Sequence, residues 1–161
     1  MKILYLEDES ALSEWTANEL RAIAELKEAG YEINDFFRVD QAKEFYDDNQ
    51  GDIALIITDL NMDDRWLGEH KAESHGGFLT GAVWLQHFVF ENNPATPTII
   101  YSAYCDLLRK EKAYLITDNV QCVEKGVGED FGFEGLIKAI EKVLGFSDLL
   151  KKLQEMYLNG G

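Results

Sequence analysis

Three carboxylates, a hydroxyl and a lysine stand directly after short apolar runs in this chain. Ile3-Leu4-Tyr5-Leu6 stops at Glu7-Asp8, Leu55-Ile56-Ile57-Thr58 stops at Asp59, and Thr98-Ile99-Ile100-Tyr101 stops at Ser102. A fourth stretch, Asn119–Val123, is followed by Glu124 and Lys125. Short apolar runs bounded by turn signals read as buried strands, and in an open parallel sheet ligands sit just beyond the carboxyl ends of the strands. Glu7, Asp8 and Asp59 then form one carboxylate cluster, whose members repel by about 1–4 kcal/mol per pair at surface-like dielectrics. A hard divalent cation relieves this repulsion. Mg2+ takes one or two carboxylates, keeps several waters and accepts phosphate oxygens. A carboxylate beside it can act as a nucleophile and form an aspartyl phosphate. Phosphoryl transfer then needs mainly positioning and charge neutralisation. Lys125 offers a point cation for phosphoryl oxygens and Ser102 a hydroxyl donor, so the set needs no separate general base.

The elements that would bring these residues together follow in order along the chain. Strands are expected at residues 3–6, 33–39, 53–58, 98–101 and 119–123. Between them the spacing predicts a helix from about Ser10, as cap, to Ala29, and a short one opened by Asp40. Further helices are expected over 78–90 and 105–114, and from about Glu134 to Leu144 after a glycine-rich loop, Gly126 to Gly132. Strand alternating with helix five times implies an α/β fold: a doubly wound parallel sheet with helices on both faces and right-handed crossovers. The polar stretch 63–77 exceeds what a strand-to-helix loop needs, and such loops are often functional.

With 161 residues, the chain suits a domain over 1–145, with 63–77 inserted after the third strand, and an amphipathic helical extension over 146–161. The extension's stripe of Leu149, Leu150, Leu153, Met156 and Tyr157 either packs on its own domain, forms a homodimer contact through 147–158, or begins a linker. A net charge of -15 argues against nucleic acid, whose phosphates demand Lys and Arg, and against anionic membranes. No run approaches the roughly 20 apolar residues of a membrane span, and no signal-peptide pattern opens the chain. With only Cys105 and Cys122, both are expected to be reduced and the location cytoplasmic.

Taken together, these residues resemble the response-regulator receiver domains of two-component signalling, CheY-like proteins. The resemblance runs from Met1 to about Leu144 and rests on Glu7-Asp8, on Asp59 within Ile57-Thr58-Asp59-Leu60-Asn61-Met62, on Ser102-Ala103 and on Lys125. It implies a flavodoxin-like sheet of order 2-1-3-4-5. It implies Asp59 as phosphoacceptor, with Mg2+ held by Asp8, by the backbone carbonyl of Asn61, by Asp59, and by Glu7 mostly through water. Ser102 would bind the phosphoryl group and Lys125 would pair with Asp59 or its phosphate. The implied partners are a sensor histidine kinase or histidine phosphotransfer protein and a downstream protein met through the face of 105–114, 119–123 and 134–144. Arg109, Lys110 and Lys112 give that face a basic spot. Such a domain is a phosphoacceptor rather than an enzyme in the ordinary sense.

Three positions depart from the family pattern. Asp63 stands where a proline usually follows, Gly126 replaces the proline after the lysine, and Cys122 replaces the switch aromatic three residues before it. Tyr104, two residues beyond Ser102, falls where the family tunes the lifetime of the phosphate. These departures sustain a second reading, a phosphorylation-independent binding module. A Mg2+-dependent phosphohydrolase with Asp59 as nucleophile is disfavoured because Asn61, not an acid, follows two residues later. Elsewhere, Glu69, His70 and His75 have no sharp metal-ligand spacing and read as a solvated loop, and His87 as structural. Trp15 and Trp84 read as core residues, and Trp66 as the exposed tryptophan.

Overall fold

The computed structural model describes residues 1–126 and 132–160. Five strands run β1 (Lys2–Leu6), β2 (Glu32–Phe36), β3 (Ile53–Thr58), β4 (Thr98–Ser102) and β5 (Val120–Glu124). They form one sheet of order β2-β1-β3-β4-β5, parallel throughout. This is the expected flavodoxin-like order. The helices are α1 (Ser10–Arg21), α2 (Ala24–Glu28), α3 (Val39–Asp48), α4 (Thr80–Trp84), α5 (Cys105–Lys112), α6 (Phe133–Leu144) and α7 (Leu149–Gly160). Because β3 and β4 are central and parallel, both their faces are covered, and their sequences are continuous apolar runs rather than alternating ones.

Each face of the sheet has its own core. On one side Leu4, Leu6, Ile56 and Ile100 meet Val39, Tyr46, Val83, Trp84 and Leu108. On the other, Ile3, Tyr5, Ile57 and Tyr101 meet Leu20, Leu136, Ile140, Leu149 and Leu153. The extension α7 thus buries Leu149 and Leu153 in its own domain, as the first alternative for that stripe requires. Leu150 N donates to Glu141 at 2.8 Å, Lys152 pairs with Glu25 at 2.9 Å, and Tyr157 binds Glu19. Tyr157 and Leu158 remain exposed.

Several boundaries differ from expectation. The first helix breaks after Arg21, because Ile23 is extended and caps a separate short helix. Its cap is Glu9, whose side chain accepts from Leu12 N, not Ser10. The buried face of α1 is Ser13, Thr16, Ala17 and Leu20, while Trp15 is 40% exposed, edge-on to Phe133. Val39 belongs to the core through α3, not to β2, and Asp40 is a first-turn acid paired with Arg38. The span 78–90 is a short α-helix followed by a π turn over Leu85–Val89. Residues 65–74 of the insertion form 3-10 turns kinked at Gly68. Trp66 is half-buried, with the Arg38 guanidinium stacked 4.5 Å from its ring centre. Of the expected glycine-rich loop, 127–131 lie outside the described residues, as does the side chain of Met156.

The largest correction concerns the cysteines. Cys105 and Cys122 form a disulfide, with Cα atoms 6.0 Å apart, within the usual bridging range. Composition alone hides this. β5 lies beside β4 with Cys122 opposite Ile100, and the chain turns from Ser102 straight into α5. The bond closes a sequence separation of 17 residues. Reduction, or Cys105→Ser, is therefore expected to lower stability by about 3 kcal/mol, read as a lower denaturant midpoint with and without thiol. An unchanged midpoint would show that the bond restrains nothing.

Candidate functional site

Strand register places the sequence-predicted residues. Leu6 pairs with Thr58, so Glu7 and Asp59 leave the sheet side by side. Ser102 pairs with Glu124, so Lys125 leaves β5 next to the last residue of β4. Backbone bonds fix the exits: Asp59 N to Leu6 O at 3.0 Å, Lys125 N to Ser102 O at 3.0 Å, and Glu7 N to Phe36 O at 3.1 Å.

At these ends the Lys125 ammonium donates to Asp59 Oδ2 at 2.8 Å and also to Glu7 Oε2. The Glu7 carboxylate is 2% exposed and Asp59 as a residue 9%. Asp59 Oδ1 accepts from Leu60 N at 2.6 Å, and Glu7 Oε1 from Glu9 N at 3.0 Å. Burial, and then the neighbouring Asp59, push the Glu7 carboxyl up to about 8. Burial pulls the Lys125 ammonium down, but the facing Asp59 and Glu7 outweigh it and the net shift is upward. Lys125 also lies 5.2 Å from the centre of the Tyr101 ring. Asp8 is more open. Its Oδ2 accepts from Asp63 N at 3.3 Å, a bond that a proline at 63 would lack the N–H to make. The departure at Asp63 thus ties the start of the insertion to the carboxylate cluster.

Ser102 is fully buried and its Oγ accepts from Tyr104 N at 3.1 Å. The Tyr104 ring packs on Phe78, 5.2 Å between centroids. Cys122 is not a small free core residue but the anchor of Cys105, three residues beyond Ser102. The Lys125–Gly126 peptide is trans, and Gly126 has φ 85°. Asn61 follows on the exposed turn after β3. Among the basic-spot residues, Lys112 is buried on Gln86 at 3.0 Å, while Arg109 pairs with Asp106 at 3.1 Å.

Two supports escaped sequence reasoning. Thr58 is buried, donates to Asp59 O at 2.9 Å and receives the Trp84 indole N–H at 3.3 Å, so α4 holds the end of β3 from beneath. Gly81 lets α4 approach: a Cβ there would lie 1.8 Å from Asp59 O. The signal was present in Thr80-Gly81-Ala82, small residues where α4 begins.

Three carboxyl groups crowd one lysine, which Glu7 relieves by holding its proton up to about 8, and their donors are hard oxygens. That set fits a divalent cation such as Mg2+, and Lys125 alone does not balance it. Among the described residues, no helix is long and apolar enough to cross a membrane.

No family model matches the sequence, and no curated protein matches it. Solved structures do match. A response regulator receiver domain protein from Clostridium thermocellum superposes with a TM-score of 0.60 at 18% identity, covering 92% of this chain and 98% of its own. The response regulator TrrA from Thermotoga maritima, solved in complex with Mg2+ and BeF, gives 0.58 at 22% identity, covering 88% and 97%. The receiver domain of the hybrid histidine kinase CckA gives 0.57 at 20%, covering 89% and 99%. At these identities the likeness is one of fold.

Proposed function

We propose that this chain, which has the fold of response-regulator receiver domains, accepts a phosphoryl group on Asp59 from a phosphohistidine of a sensor kinase or phosphotransfer protein. One observation carries this reading: Lys125 bridges Glu7 and Asp59 at the strand ends, with Asp8 and Ser102 at the same edge. In the transfer, the P–N bond of the donor imidazole breaks as a P–O bond to an Asp59 oxygen forms. Lys125, already on Asp59 Oδ2, follows the charge onto a phosphoryl oxygen, and the Ser102 hydroxyl rotates to donate to another. Glu7, Asp8, Asp59 and the Asn61 carbonyl are the residues that would hold Mg2+. When bound, the ion neutralises the carboxylates and the phosphoryl oxygens. The modification adds roughly -1.5 to -2 charge at one strand end, which biases the loop after β4 and helix α5. The output is a protein contact made by the face of α5, β5 and α6.

The disulfide favours a second reading as a phosphorylation-independent binding module, because it ties the chain just beyond Ser102 to β5. Beryllofluoride binding separates the two. The fluorine resonance of bound beryllofluoride is expected with wild type and Mg2+, and to vanish in Asp59→Asn. No bound resonance with wild type would leave the binding-module reading.

Tyr104 binds Ser102 through its amide and packs its ring on Phe78; in the proposed role that ring shields the phosphoryl group from water. Tyr104→Ala is expected to hasten loss of the phosphate, followed as decay of the phosphorylated protein. Equal or slower decay would contradict that shielding.

A further inference from the structure

The insertion and the π turn carry a second cluster that the receiver-like site does not use. His70 and Glu73 lie in the 3-10 turns of 65–74, and His87 lies in the π turn Leu85–Val89. His70 Nδ1 is 3.0 Å from Glu73 Oε2, and His87 Nε2 is 3.0 Å from both Glu73 oxygens. All three ligand atoms fall within 4.8 Å of one another. We propose that His70, Glu73 and His87 form a transition-metal site, taking Zn2+, that staples the insertion onto the helical segment following it.

Donor chemistry comes first. Two imidazoles and one carboxylate suit Zn2+ and are poor for Mg2+, so this site and the acidic pocket select different ions. Zn–N and Zn–O bonds of about 2.0–2.2 Å place tetrahedral ligand atoms about 3.3 Å apart. The two His–Glu separations are already near that. The far nitrogen of each ring faces another carboxylate. His87 Nδ1 lies 3.2 Å from Glu91, and His70 Nε2 lies 3.6 Å from Glu69. A carboxylate behind a ligating imidazole fixes its tautomer and turns the other nitrogen's lone pair toward the metal. Here both inner nitrogens converge on Glu73 Oε2.

The backbone also points there. Phe90 N bonds to Leu85 O at 2.8 Å, five residues back. Such π turns are rare and occur often at functional sites; this one carries His87 on the side that meets Glu73. The two rings stack in parallel, 3.6 Å apart and 9° between planes. To share one ion they must splay by rotation about their side-chain bonds. Lys112 stands 3.6 Å from Glu73 Oε1 but is held by Gln86, leaving Oε2 to the imidazoles. Glu69, Glu73 and Glu91 against Lys112 keep the surroundings net negative, as a dication requires.

The test uses the full chain, stripped of metal with a chelator and then freed of it. Zn2+ is titrated calorimetrically in excess Mg2+, which occupies the acidic pocket, and Co2+ is used as a visible-absorption probe. One Zn2+ per chain is expected, with Co2+ bands of a low-coordinate site. Both signals should be lost in His70→Ala and in His87→Gln and retained in Asp59→Asn. Circular dichroism of each histidine variant without metal confirms that it folds. No Zn2+ uptake by wild type, or uptake unchanged in both histidine variants, would overturn the site whether or not Asp59 is phosphorylated.

Discussion

Replacing Lys125 with methionine is expected to lower the stability of the metal-free protein by about 3–5 kcal/mol, more at about pH 9 than at about pH 6. The ammonium bridges Glu7 and Asp59, and the three side chains are only 2–11% exposed. Removing it leaves two carboxylates facing one another in a poorly solvated pocket. Glu7 responds by holding its proton. Its folded value, raised to about 8 from an ordinary 4.5, means that the folded state binds more protons than the unfolded one between those values. Stability therefore falls as pH rises through that window. In the variant, the attraction of Lys125 that lowers the Glu7 value is gone, so the loss continues to higher pH and the gap from wild type widens. Chemical denaturation in chelator at the two pH values measures this. A loss under about 1 kcal/mol, typical of an exposed pair, or one equal at both pH values, would contradict the buried bridge.

Gly81→Ala is expected to be at least as damaging, by about 4–5 kcal/mol. The added Cβ would lie 1.8 Å from Asp59 O and 2.9 Å from its carbonyl carbon. These are backbone atoms, so no rotamer change relieves the clash. Helix α4 must retreat, breaking Gly81 N to Leu60 O at 3.0 Å and releasing the end of β3 that carries Asp59. The variant should lose both denaturant resistance and beryllofluoride binding. A midpoint near that of wild type would mean that α4 does not hold Asp59 in place.

What the sequence reveals and what it hides divide along physical lines. The strands that end at Glu7, Asp59 and Ser102 were legible because central parallel strands are continuous apolar runs that end sharply on polar residues. Register then brought Glu7, Asp59 and Lys125 together without further information. The edge strand was read too long, since Val39 is apolar for the sake of α3 rather than the sheet. Trp15 misled for the opposite reason: α1 buries small residues against the sheet and leaves its largest apolar residue half outside. The disulfide was invisible because two cysteines 17 residues apart say nothing until β4 and β5 are adjacent. The His70–Glu73–His87 cluster was missed because its spacing is set by a kinked 3-10 segment and a π turn, and neither has a simple sequence period.

Asp59 is the proposed covalent acceptor. The most direct measurement is mass spectrometry of the intact and digested protein after incubation with acetyl phosphate, with and without Mg2+. One phosphoryl group per chain is expected, Mg2+-dependent, on the peptide containing Asp59, and absent from Asp59→Asn. No adduct on wild type, or an adduct that persists in Asp59→Asn, would contradict it.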